Sequence, residues 1–262
     1  MVVNFGVDWA RHGWLVASAQ DGARPQVEFH STIFEVWNRL PADSRMAIDI
    51  PIGLPTKGPR PCDKEAKTIL GAWGNSVFYT PTREAVYASN IDEAKEEQSS
   101  LGYSIQNQAW AIVPRIREVD QFLQIHETEI NADQIIETHP EVVYAALNGG
   151  EPVDKSKKED RGETDRLELL RPHLRDVETV FRNATSEFQG PDYASKLARP
   201  DDILDAFAAL LVARDSGHDP PRLPQATSPN RDDKVDRDCV IAFPKGVNWS
   251  PSLPKQLEKT TE

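Results

Sequence analysis

The sequence predicts an α/β fold. A mixed five-stranded sheet, an antiparallel meander continued by parallel strands, is flanked by helices and carries a helical insertion. Three observations predict it. Apolar runs suited to strands follow one another before residue 33, with only turn-sized links between them. Two later apolar runs, near 45–50 and 135–137, each carry a carboxylate at or near their end, as the first run does at Asp8. Between and after them, apolar residues recur at helical spacing.

Val2, Val3, Phe5 and Val7 are β-branched or aromatic, which suits a strand buried on both faces. Asp8 at its end is costly unless something satisfies it. Gly13-Trp14-Leu15-Val16-Ala17-Ser18-Ala19, the turn signal Asp21-Gly22 and Val27-Glu28-Phe29-His30-Ser31-Thr32 complete a three-strand meander. A short helix over 33–40 ends at Pro41, and Arg45-Met46-Ala47-Ile48-Asp49-Ile50 is the fourth strand. Strand, strand, strand, helix, strand is the order of the ribonuclease-H topology. Its first and fourth strands are parallel neighbours, which brings Asp8 and Asp49 within reach of each other.

Residues 56–130 read as the mainly helical insertion in a single domain spanning 1–262. A helix opens at Pro61, Thr82 suits an N-cap, and 92–98 reads as a solvated helix face. A long helix over 105–126 contains Pro114, a kink or break. Arg115, Glu118 and Asp120 within it read as surface ion pairs. Ile135-Ile136-Glu137 is the third run ending in an acid. Pro140 then starts a helix that Gly149-Gly150 stops. His139 between them is a candidate ligand or acid–base group. Lys155, Lys157, Lys158 and Arg161 form the densest basic patch and a candidate phosphate-contacting edge.

Helices are expected over 164–170 and 177–181, and a longer one after Arg199-Pro200. That last helix is apolar all round beyond its first turn, so it should be buried. Asp201 suits its N-cap. Asp202 and Asp205 are three apart and share a face, and Asp205 lies a full turn inside. The stretch 216–229 reads as irregular and 238–244 as a last strand.

The formal net charge of −12, from 42 acidic and 30 basic residues, argues against coating nucleic acid by bulk electrostatics. Cys62 and Cys239 read as reduced, buried thiols. No signal-like segment and no membrane-length apolar run is present, so the expectation is a soluble, cytoplasmic protein with no membrane partner. Neither GxxxxGK[ST], nor GxGxxG after a strand, nor GxSxG occurs, which leaves nucleotide-driven, dinucleotide-dependent and serine-hydrolase chemistry without their signatures.

Asp8, Asp49, Glu137, Asp202 and Asp205 are therefore the candidate catalytic and metal-ligating set. All-oxygen ligands select Mg²⁺ or Mn²⁺ over Zn²⁺. Two such ions about 3.5–4 Å apart could hold a scissile phosphate, which implies hydrolysis of phosphodiester bonds in nucleic acid.

Several blocks also resemble a known family. Gly6-Val7-Asp8, Ile48-Asp49-Ile50-Pro51-Ile52-Gly53-Leu54-Pro55, Arg60-Pro61-Cys62-Asp63, Thr80-Pro81-Thr82-Arg83, Glu137-Thr138-His139-Pro140-Glu141 and Asp201-Asp202-Ile203-Leu204-Asp205-Ala206 are similar to DUF429. This is a family of predicted nucleases of ribonuclease-H-like fold. The last block is also similar to the acidic helix of Holliday-junction resolvases. The resemblance implies that Asp8, Asp49 or Glu137, and Asp202 with Asp205 form the metal site. Two other readings fit the same residues: a non-catalytic binding module of this fold, and a metal-dependent phosphohydrolase acting on small phosphorylated metabolites or nucleotides.

Overall fold

β1 (Val3–Ala10), β2 (Gly13–Gln20) and β3 (Gln26–His30) form the expected meander, with Val3 opposite Gln20 and Ala10 opposite Gly13 in the first pair. The computed structural model describes residues 2–99, 101–154, 160–190, 196–215 and 219–245. α1 (Ile33–Asn38) carries the chain back, its N-terminus capped by the Thr32 hydroxyl, which accepts from the Glu35 N–H at 3.2 Å. β4 (Arg45–Ile48) and β5 (Ile135–Glu137) then add in parallel, and the sheet order is β3-β2-β1-β4-β5.

Side chains alternate between the two faces of this sheet. Phe5, Val7, Trp14, Val16, Met46, Ile48 and Ile135 point to one face and pack with α1 and with α5 (Asn107–Ile125). Ala10, Leu15, Ala17, Ala47 and Ile136 belong to the other, where α9 (Pro200–Asp215) lies across β1, β2 and β4. The far side of α9 is covered by α6 (Pro140–Leu147), α7 (Asp160–Leu170) and α8 (Val177–Phe188). A helix enclosed by a sheet on one side and helices on the other has no polar face to offer, which is why its sequence is apolar all round. No helix among the described residues is long and apolar enough to cross a membrane.

The closest approach in this layer is at Gly6. A Cβ there would stand 2.1 Å from the Ala206 carbonyl oxygen and 2.1 Å from the Leu210 backbone nitrogen. The backbone of α9 thus rests on the backbone of β1, and no side chain fits between them.

The stretch between β4 and β5 is helical: α2 (Pro61–Leu70), a 3-10 segment (Gly71–Ser76), α3 (Arg83–Tyr87), α4 (Ile91–Ser99) and α5. Pro114 does not interrupt α5, which runs through it while Val113, Ile116, Val119, Phe122 and Leu123 are buried. Tertiary burial outweighs the hydrogen bond that proline cannot donate. The charges on this helix also differ from expectation. Glu118 Oε1 accepts from the Trp14 indole N–H at 3.0 Å and the Ile33 N–H at 2.7 Å, tying α5 to the sheet and to α1. Asp120 is buried and accepts from Arg83, Tyr87 and Gln124, each at 2.6 Å. Glu118 does pair with Arg115 at 2.5 Å, but both acids also hold elements together, and Asp120 is not a surface charge.

Beyond α9, β6 (Arg222–Leu223) pairs with β9 (Ile241–Ala242), and β7 (Arg231–Asp232) pairs with β8 (Arg237–Asp238). The strand expected over 238–244 is therefore split between two hairpins, and part of the stretch expected to be irregular is strand. Cys62 and Cys239 are free thiols buried in the same small core of α2, α6, β6 and β9.

Replacing Gly6 by Ala forces β1 and α9 apart. The expected cost is about 2–3 kcal/mol or more, read as a lower urea midpoint of unfolding, because the obstructing atoms are backbone and cannot turn away. An unchanged midpoint would show that α9 does not seat on Gly6.

Candidate metal centre

Three carboxylates meet on the α9 face of the sheet. Gly6 and Asp8 are two residues apart on β1 and so point the same way. Asp205 immediately precedes Ala206, the residue whose carbonyl sits over Gly6. The contact that seats α9 therefore also sets Asp205 over the end of β1. Asp49 follows β4, and its N–H continues the parallel ladder by donating to the Val7 carbonyl at 3.0 Å, which brings it alongside Asp8. One oxygen from each of Asp8, Asp49 and Asp205 lies within 4.8 Å of the others. Asp8 and Asp205 are buried and Asp49 is half-buried.

Two unit charges 4 Å apart repel by roughly 4 kcal/mol at the effective dielectric of a protein surface, and here there are three pairs. A divalent cation held between them turns that repulsion into attraction. Around an ion with bonds of about 2.1 Å, neighbouring and opposite oxygens stand about 3–4.2 Å apart, so modest side-chain rotation would close this group on Mg²⁺ or Mn²⁺. The group could hold a metal ion.

The surroundings fix the geometry. Tyr144 on α6 is fully buried, and its hydroxyl donates to the Leu204 carbonyl at 2.8 Å, pinning the turn of α9 that carries Asp205. Burial pushes its phenol well above the usual range, and the charges of Asp205 and Asp8 push it the same way, so it stays a neutral donor. Arg166 on α7 lies 5.2 Å from the Tyr144 ring, and its Nη2 donates to the two oxygens of Glu141 at 2.9 and 2.8 Å. Neither Tyr144 nor Arg166 was singled out in the sequence. A tyrosine inside the apolar stretch Val142-Val143-Tyr144-Ala145-Ala146 was the available signal, because a buried hydroxyl needs a partner.

The structure does not bring Glu137 into this group. In the parallel register Ile48 is the partner of Glu137 and Ala47 of Ile136, so Glu137 points to the opposite face of the sheet from Asp8 and Asp49. There its Oε1 accepts from Arg60 Nη2 at 2.6 Å, and its Oε2 from Arg60 Nη1 at 2.7 Å and the Ile52 N–H at 2.6 Å. Burial pushes the Glu137 carboxyl up to about 7, against the pull of Arg60. Both oxygens nevertheless face N–H donors, an arrangement that suits the ionised form. Arg60 is also bound by Asp63 at 2.6 Å and donates to the Ile52 carbonyl at 3.1 Å. Asp232 accepts from the Leu54 N–H at 2.7 Å. Glu137, Arg60, Asp63 and Asp232 thus form a buried ionic brace on the loop that leaves Asp49. Gly53 within that loop has φ 82°, a conformation few other residues adopt.

Asp202 is also outside the trio. Its Oδ2 accepts from the Arg199 N–H at 2.7 Å, the reach-back bond of a capped helix start, with Pro200 as the first helical residue. His139 is half-buried just before α6, where its carbonyl accepts from the N–H groups of Val142 and Val143, and it is not a member of the carboxylate group. Lys155, Lys157 and Lys158 lie outside the described residues, and Arg161 falls in α7.

A family model described as "Protein of unknown function (DUF429)" matches residues 6–228, and the chain belongs to this family. Searches of curated proteins and of solved structures find no match. The matched span takes in the trio, α9 and all of the brace except Asp232, so the features described above are those of a DUF429 chain.

Burial pushes the Asp202 carboxyl up to about 7, the charges of Asp201 and Asp205 add to the rise, and the Arg199 N–H opposes it. The folded chain then holds a proton that the unfolded chain has already lost. Without divalent metal, stability should therefore fall as pH rises from about 4 to about 7 and level off above that. Asp202→Asn should flatten this slope in urea titrations made in the presence of chelator. The same slope in the variant would assign the effect to other groups.

Proposed function

We propose that the chain is a divalent-metal-dependent nuclease of ribonuclease-H-like fold, in which Asp8, Asp49 and Asp205 hold Mg²⁺ or Mn²⁺ and nucleic acid is the substrate. The observation that carries this reading is the convergence of three carboxylates on one face of the sheet. The strand order β3-β2-β1-β4-β5, antiparallel over its first three strands in sequence and parallel afterwards, supports the fold assignment.

An all-oxygen donor set suits a hard cation, and its rigid mounting suits catalysis. Asp8 is fixed by a strand paired on both sides, Asp49 by the ladder and the brace beyond it, and Asp205 by the seat of α9 and the Tyr144 bond. A metal ion bound there would lower the pKa of an attacking water and stabilise charge on the leaving oxygen. Asp202, whose charge is felt by Asp205 one turn away, is the acid on which a second ion would draw. The net charge of −12 supports a second reading, metal-dependent hydrolysis of small phosphoesters, because such substrates need no extended basic groove.

Cleavage of single-stranded, duplex and branched DNA, of RNA and of nucleotides in Mn²⁺ would separate these readings. The expected result is oligonucleotide cleavage lost at least about a hundredfold in Asp8→Asn and abolished by chelator. Release of phosphate from nucleotides alone would favour the small-substrate reading. Equal turnover by the wild type and Asp8→Asn would sink both.

A further inference from the structure

The second hairpin carries an arginine that the carboxylate chemistry does not use. Arg237 on β8 is 9% exposed. Its Nη2 donates to the Ile130 carbonyl at 3.0 Å, its Nε is buried without an acceptor, and no carboxylate of the described residues forms an ion pair with it. Burial pulls its guanidinium down, and Asp236 and Asp133 favour its charge only weakly. Arg222 on β6, about a third exposed overall, likewise has a buried Nε without an acceptor. Both arginines line one cavity of about 90 Å³ at the β5 edge of the sheet.

The other charges around this cavity are matched. Arg231 pairs with Asp236 and Asp238, Glu137 is held by Arg60, and the Nη2 of Arg222 reaches Asp133 at 3.1 Å. What is left on this cavity is one buried arginine with no ion pair among the described residues, beside a second, partly exposed arginine. Burying a charge and a donor without a partner is costly, and a guanidinium is built to bind planar or tetrahedral oxyanions. The cavity has room for an ion of a few heavy atoms and is too small for a sugar or a base. Asp8, Asp49 and Asp205 do not line it.

We propose that this cavity binds one tetrahedral oxyanion of phosphate size, held by the guanidinium groups of Arg222 and Arg237. The site is independent of the metal centre, and its existence does not depend on nuclease activity. The ion is supplied either as free inorganic phosphate or as a phosphate group at the end of a nucleic-acid strand.

Titration calorimetry of the full chain with inorganic phosphate, at ionic strength held constant with chloride, tests it. The expected result is saturable binding of one phosphate, weakened at least about tenfold in Arg222→Gln and in Arg237→Met. Should Arg237→Met fail to fold, Arg222→Gln still decides, since that side chain is partly exposed. A trinucleotide with and without a 5′-phosphate separates the sources. Binding that requires the 5′-phosphate assigns the site to a strand end, and binding of inorganic phosphate alone assigns it to the free ion. Absence of saturable phosphate binding in the wild type, or wild-type affinity in Arg222→Gln, would overturn the proposal.

Discussion

The position of α9 depends on one contact, the meeting of its backbone with that of β1 at Gly6. Everything at the candidate site follows from it. The absence of a side chain lets the helix down onto the strand, and the helix brings Asp205 over Asp8. Parallel pairing of β1 with β4 adds Asp49. The seat is made of backbone atoms on both sides, so it cannot be loosened by a rotamer change. A stiff mounting suits three carboxylates brought within 4.8 Å of one another, and a cation between them would offset their repulsion.

The same sheet uses acids in opposite ways on its two faces. Toward α9, Asp8, Asp49 and Asp205 are set beside one another. Toward the insertion, Glu137, Asp63, Asp120 and Asp232 are each set against an arginine or a backbone N–H. The second arrangement serves the first. The brace built on Arg60 and Glu137 holds the loop that leaves Asp49, so the ligand nearest to solvent is fixed from behind. The insertion is in this sense part of the site's support, although none of its residues joins the trio.

Much of this was legible from residues alone. The meander and the buried α9 followed from apolar period and turn chemistry, the parallel neighbours from the strand order expected of a ribonuclease-H topology, and Asp205 stood out as a carboxylate a full turn inside an apolar helix. Glu137 was misplaced because a strand of three residues does not reveal which way its last side chain points. That depends on the register with β4, which is a tertiary property. Asp202 was read as a ligand because it shares a face with Asp205; it stands outside the trio, and its Oδ2 serves the helix end. Asp120 and Glu118 looked like surface charges because helical spacing shows which residues are neighbours and not what covers them. Tyr144, and the bond of Arg60 to Glu137, were missed for the complementary reason: the two partners lie more than fifty residues apart.

The central claim is that Asp8, Asp49 and Asp205 together ligate a divalent ion. A crystal of this chain soaked in Mn²⁺, with diffraction recorded at the manganese absorption edge, tests it most directly. The account predicts an anomalous peak about 2.1–2.2 Å from an oxygen of each of the three residues, and none at Glu137. A crystal with Mn²⁺ bound elsewhere, or with no peak between these carboxylates at saturating metal, would contradict it.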